Sequence, residues 1–306
     1  MGSDRPRRRP RPGDRLCRLR AGRVPRRRHR RRRSCDAHGD PRRGSRRTAQ
    51  GRRPSSRRSA HSIPRPMGLP GVRMRAPRRP GSADPPRRKT AMNLLVVHAH
   101  PEPRSFTAAL KDTTVATAGA AGHVVAVSDL YAEGFDPVGG RGDFTTVADP
   151  ERFHYQSEQA LAAAENGFAP EILREQRRLA AADLLVLHFP IWWGAPPAIL
   201  KGWFDRVLAF GFAYRDGTRF ESGLLAGKTA VCALTTGGTP KRFSEGDAYG
   251  PIEKVLWPVQ RLALEYLGMK VLDPFVAYAA PRVDDGARAA MLAAWAQRLS
   301  DIVAAA

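Results

Sequence analysis

The stretch 184–206, LLVLHFPIWWGAPPAILKGWFDR, constrains the fold more than any other part of the chain. It opens as an apolar run and breaks at Pro190. Two tryptophans and a glycine follow, then Pro196-Pro197, then an amphipathic segment. This order predicts a buried strand, a loop and a helix. A short apolar run bounded by turn signals and preceded by a helical segment, 171–182, suits a parallel strand covered on both faces. The loop then leaves the carboxyl end of that strand, the edge at which open α/β sheets bind ligands. Trp192 and Trp193 have two readings there. They pack under the loop as core, or they face a flat aromatic ligand.

From Met92 onward strands and helices alternate. Segments 93–97 (NLLVV) and 123–127 (HVVAV) read as strands flanking a helix over 106–118, and the right-handed crossover rule makes them parallel neighbours. The span 128–169 reads as irregular, a connection long enough to suggest a functional role. Pro170 suits the first turn of helix 171–182. Helix 198–209, strand 228–234, helix 247–267, strand 269–272 and helix 284–303 follow. The last helix carries the apolar stripe Met291, Leu292, Trp295, Leu299 and Ile302. Five strands alternating with helices predict a doubly wound α/β domain, a five-stranded parallel sheet with helices on both faces.

Three loops leave strand ends on the same predicted edge. The first, HAHPEPRS, lacks the GxGxxG dinucleotide fingerprint. It does set His100, Arg104, Ser105 and Thr107 around a helix start, where backbone N–H groups and the helix dipole favour a phosphate. Ser105 is equally an N-cap, and His100 equally a loop histidine without a role. The second is the tryptophan loop. The third, Thr235-Thr236-Gly237-Gly238, places glycines where a backbone can approach a ligand edge. Segment 211–227 adds Phe212, Tyr214 and Phe220.

The net charge of +23 is unevenly spread. Residues 1–91 hold 32 basic and 5 acidic side chains, a net of +27, which leaves 20 basic and 24 acidic in residues 92–306, a net of −4. The later part therefore has no overall electrostatic drive toward phosphate backbones. The first part contains no Phe, Tyr or Trp and is rich in Arg, Pro, Gly and Ser, so it is expected to be a disordered tail. Three readings compete for it: a nucleic-acid-binding arm, a targeting segment, or upstream sequence that is not translated, with Met92 as the true start. Cys17, Cys35 and Cys232 show neither metal spacing nor a disulfide framework. No apolar run approaches the ~20 residues of a membrane span, and no apolar signal segment is present. A cytoplasmic protein is expected.

The motifs HAHPEPRSF, SDLY, the AADLLVLHFP–WW–PAILKGWFDRV block, TTGG and LWPVQ, in this order across 92–306, resemble the NAD(P)H:quinone oxidoreductases of the DT-diaphorase type. These are flavodoxin-like proteins. The resemblance implies a homodimer with FAD, rather than FMN, at the subunit interface. It implies that the pyrophosphate and adenylate half lies by His100, Arg104, Ser105, Phe106 and Thr107. The isoalloxazine would lie against Pro190, Ile191, Trp192, Trp193 and Gly194, edged by Thr235, Thr236, Gly237 and Gly238. His154 stands where the family often has Gln at the flavin, Arg288 matches an arginine that helps hold the cofactor, and Tyr214 and Tyr266 match aromatic positions around the substrate. NADH or NADPH would give hydride to the flavin, and a quinone or another small aromatic acceptor would then take it from the same pocket, with ping-pong kinetics.

One departure bears on rate. The animal enzymes carry a Tyr and then a His after TTGG, where this chain has Phe243 and Tyr249. Phe243 has no polar atom. Tyr249 keeps a hydroxyl donor and is the expected catalytic residue. Losing one such donor costs roughly 10²-fold in rate where nothing replaces it. Arg242 and Lys241 are the candidates to replace it. Two other classes stay open: a regulatory flavoprotein partnering a membrane potassium-efflux transporter, and nucleic-acid binding through the tail.

Overall fold

A computed structural model describes residues 91–305. The readings of the basic N-terminal segment lie outside the described residues. The elements in order are β1 (Asn93–His98), α1 (Phe106–Ala120), β2 (Val124–Asp129), α2 (Tyr155–Glu165), α3 (Pro170–Ala181), β3 (Leu184–Pro190), α4 (Ala198–Val207), β4 (Thr229–Thr235), α5 (Ile252–Val259), β5 (Lys270–Val271), β6 (Phe275–Ala277) and α6 (Asp285–Ala305). The sheet runs β2-β1-β3-β4-β5 with every pairing parallel, and β6 pairs with the later part of β4. The expected five-stranded doubly wound sheet is present, with one extra strand.

Strand β3 is central, and all seven of its residues are buried. Its alternation sends Leu185, Leu187 and Phe189 toward Leu179, Leu200 and Trp203 on one face. Leu184 and Val186 go toward Leu110, Trp295 and Leu299 on the other. A strand with two apolar faces can only sit between two helical layers. On the second face His188 is fully buried and hydrogen-bonded at both ring nitrogens. Nδ1 donates to the Ala233 carbonyl (3.0 Å) and Nε2 meets the Thr114 hydroxyl (2.9 Å), which accepts from Trp295 Nε1 (2.8 Å). One polar chain thereby ties β4, β3, α1 and α6 together.

Three element readings are corrected. The span 128–169 is not irregular throughout: it holds the end of β2, a 3-10 turn at Arg141–Asp143 and all of α2. The α2 sequence YQSEQALAAAE has good helix formers but no apolar stripe, since it buries Glu158, Gln159 and Ala162. The helix expected from 247 starts only at Ile252, because Gly246 and Gly250 take positive φ before it. Pro258 inside it has no N–H to donate, and the helix continues as a π-helical stretch, Gln260–Glu265. The strand expected to start over 269–272 is two short strands, separated by Leu272, Asp273 and Pro274. Other boundaries move by one or two residues. Among the described residues no helix is long and apolar enough to cross a membrane.

Candidate active site

The carboxyl ends of β1, β3, β4 and β6 are neighbours, and the segments that follow them wall one cleft. Its first half, about 600 Å³, is lined by His100, Ser105, Phe106 and Thr107 after β1, Pro190, Ile191 and Trp192 around the end of β3, Thr235, Thr236 and Gly237 around the end of β4, and Ala280, Pro281 and Arg288 beyond β6. The second half, about 490 Å³, shares Ile191, Thr236 and Gly237 and adds Trp193, Gly194, Gly238, Phe243, Tyr249, Val255 and Arg282.

In the first half the start of α1 faces the cavity. Ser105 is the N-cap, its Oγ accepting from the Ala108 N–H at 3.1 Å. The N–H groups of Phe106 and Thr107 have no acceptor among the described residues, and the first turn of α1 carries no acid. Such a helix start favours an anion. The Thr107 hydroxyl is bonded to that of Thr235 (2.9 Å), which clamps the first and third loops together. Arg288 is held by the Ala280 and Val283 carbonyls and by Asp285. His100 accepts from the Glu102 N–H at 3.0 Å and meets Trp192 edge to face at 5.9 Å. Burial lowers its pKa from the ordinary histidine value. Arg104 is not among the lining residues: it is largely exposed and paired with Glu102 at 3.3 Å.

The second half is built on a turn. Trp192 and Ala195 exchange both backbone hydrogen bonds, at 2.9 and 3.1 Å. The two residues between them take positive φ, +51° at Trp193 and +73° at Gly194. This is a type I′ turn. Glycine suits its place, whereas a tryptophan in the left-handed region costs on the order of 1–3 kcal/mol. Trp193 is nevertheless fully exposed, and Trp192 is 41% exposed. The pair does not pack as core.

The same half of the cleft is lined by the Gly237-Gly238 backbone. A Cβ on Gly238 would sit 2.6 Å from Phe243 Cε2 and 3.2 Å from Tyr249 Cε2, so the backbone passes only because no side chain is there. Phe243 is buried and supports Tyr249, with ring centres 5.1 Å apart. Tyr249 is 58% exposed, and its hydroxyl has no partner among the described residues.

Besides Arg104, three expected site residues lie elsewhere. His154 caps α2, its Nδ1 accepting from the Ser157 N–H (3.3 Å), and with Tyr214 it lines a separate cavity of about 730 Å³. Tyr214 and Tyr266, ring centres 6.4 Å apart, line an apolar groove of about 670 Å³ with Phe204, Leu208 and Leu262. None of the three lines the cleft of its own chain. Ala280, Pro281 and Arg282 were missed as cleft residues, because they follow β6, the strand that sequence reading did not separate.

A family model described as the flavodoxin-like fold matches residues 92–299. The chain is 42% identical over 210 residues to a ribosyldihydronicotinamide dehydrogenase (quinone) of Pongo abelii, spanning 68% of this chain and 91% of that protein. It is 41% identical over 209 residues to NAD(P)H dehydrogenase (quinone) 1 of Cavia porcellus, spanning 68% and 76%. A solved structure of a candidate quinone reductase from Klebsiella pneumoniae superposes with a TM-score of 0.67 at 37% identity, covering 69% of this chain and 85% of that one. Fold and cleft thus define a flavodoxin-like protein. Within that class the chain belongs to the NAD(P)H:quinone oxidoreductase family.

Proposed function

We propose that this chain is a flavin-dependent NAD(P)H:quinone oxidoreductase that binds FAD and works as a homodimer. The observation that carries the reading is the strained, fully exposed Trp193 in the same cleft as the Gly237-Gly238 backbone. The residues fit a flavin nucleotide. Phe106 and Thr107 N–H groups, with Arg288 close by, hold anionic phosphate. Ile191 and Trp193 would offer apolar cover to a planar ring, and the Gly237 N–H would be a donor for a polar group on it. We assign FAD rather than FMN on the resemblance of the first loop, HAHPEPRSF. When bound, the flavin carries a hydride from a reduced nicotinamide to a quinone.

The chain's own part is positional. Trp193, Phe243 and Tyr249 wall a pocket that takes one planar substrate at a time, so donor and acceptor use it in turn. Tyr249 donates its hydroxyl proton in a hydrogen bond to the oxygen that gains charge, and Phe243 sets the Tyr249 ring without donating. His154, Tyr214 and Tyr266 reach the reaction from the partner copy, whose apolar groove covers the cleft.

The test is an absorbance spectrum of the purified protein, repeated after anaerobic NADPH and again after a quinone. A flavin band that bleaches and then returns is expected. A flavin that stays oxidised with every reduced nicotinamide overturns the enzyme reading in favour of a regulatory flavoprotein.

A further inference from the structure

The second half of the cleft has one charged lining residue. Trp193, Phe243 and Tyr249 supply aromatic surface, Ile191 and Val255 aliphatic surface, and Thr236 with the glycines a polar backbone edge. Arg282 is the exception. It stands exposed on the segment between β6 and α6, where a turn through Ala279 (φ +52°) is closed by its N–H donating to the Ala279 carbonyl at 2.7 Å.

No acceptor for its guanidinium is found among the described residues. The acids next to it on the chain are already engaged: Asp284 Oδ1 accepts from the Ala287 N–H at 2.7 Å, and Asp285 pairs with Arg288. On the facing loop Asp247 pairs with Arg242 (3.6 Å), and Glu245 with Lys254 (3.1 Å). A cation left without a counterion at the rim of an aromatic pocket calls for a ligand that is aromatic at one end and anionic at the other. A quinone is neutral and meets only the first demand. A dihydronicotinamide dinucleotide meets both, because its phosphates are separated from the reacting ring by a ribose and so fall at the pocket rim. Arginine presents the fork that matches phosphate oxygens.

We infer that Arg282 is the specificity residue for the electron donor: it anchors the phosphates of a dinucleotide and selects NADH or NADPH over phosphate-free dihydronicotinamide nucleosides. This rests on the flavin reductase reading, and it settles a choice that the similar proteins leave open, since one is named for a ribosyl donor and another for NAD(P)H.

The test uses the full-length, flavin-loaded protein and its Arg282→Ala and Arg282→Lys variants. Stopped-flow flavin reduction gives kcat/KM for NADPH, NADH and ribosyl dihydronicotinamide, and NADP⁺ is titrated at equilibrium. A charge-assisted hydrogen bond is worth about 1.5–3 kcal/mol, which converts to roughly 10–150-fold. In Arg282→Ala the preference for dinucleotides over the ribosyl donor falls by about that factor, the NADP⁺ Kd rises in parallel, and Arg282→Lys restores part of both. Equal losses for all donors, or an unchanged NADP⁺ Kd, overturn the proposal. A wild-type flavin that no donor reduces defeats the enzyme reading instead, and the NADP⁺ titration still decides the role of Arg282.

Discussion

Trp193 does nothing for the stability of the isolated chain: it holds a left-handed backbone and buries no side chain. Its replacement therefore separates folding from function. Asparagine tolerates positive φ, and Asn-Gly is the favoured type I′ pair. Trp193→Asn is expected to raise the melting temperature of flavin-free protein by about 2–4 °C, the effect of roughly 1 kcal/mol in a domain of this size. The same change is expected to lower flavin retention through gel filtration and to slow turnover. Unchanged retention would remove the stacking role. Tyr249 gives a complementary case, since Tyr249→Phe keeps the ring contact with Phe243 and removes only the donor. Flavin reduction by NADPH in stopped flow is expected to slow by up to about 10²-fold. An unchanged rate would leave the hydroxyl without a role. At this scale the sequence showed that two adjacent tryptophans after a strand are costly. It did not show which of them carries the strain, because that depends on a turn closed by Ala195.

The best-read elements were those whose burial is written in large side chains. Strand β3 and helix α6 were legible because Leu, Phe and Trp repeat with the period of their element. Helix α2 was not, since small and polar residues hold it. Its anchor is a buried ion pair: Arg206 Nε on α4 donates to Asp143 (2.9 Å), while Glu171 on α3 accepts from Arg206 Nη1 (2.5 Å). Tyr155, the first residue of α2, donates its hydroxyl to the other Asp143 oxygen. Burial and then that hydrogen bond raise the Tyr155 pKa above the usual tyrosine value. No local pattern reports partners that lie 12 and 63 residues from Asp143, or the 35 residues between Glu171 and Arg206. Breaking a buried pair by removing one partner costs about 3–5 kcal/mol. Asp143→Ala is accordingly expected to lower the melting temperature by about 10 °C or more, and Tyr155→Phe by only a few degrees, near 1 kcal/mol. Equal, small shifts in both would show that the pair does not anchor α2.

For the molecule as a whole, acid sensitivity follows from two histidines facing the same layer. Burial holds His188 at about 3 and His98 at about 4, with Asp129 opposing and Lys111 reinforcing the shift at His98. Unfolded, both titrate near 6.5. Below that pH the unfolded chain takes up protons that the native state refuses, so stability falls as pH drops from 6.5 toward 4, by up to about 1.4 kcal/mol per unit for each histidine. Urea midpoints across this range check it, and His188→Gln is expected to flatten the slope. The larger question at this scale is how one chain's two sets of site residues act together. Trp193, Gly238 and Tyr249 lie in the cleft, whereas His154, Tyr214 and Tyr266 line other cavities, and the groove holding both tyrosines is apolar with Leu262 exposed. If two copies complete each other's sites, damage to the cleft and damage to the groove must complement. Trp193→Ala and the double variant Tyr214→Ala, Tyr266→Ala are each expected to be slow alone. A heterodimer of the two, purified through different tags, has one site with an intact cleft and an intact covering face, and one site with neither. It should recover about half of the wild-type rate, as two-fold symmetry requires. A mixture that dimerises but recovers nothing would place each site within a single chain.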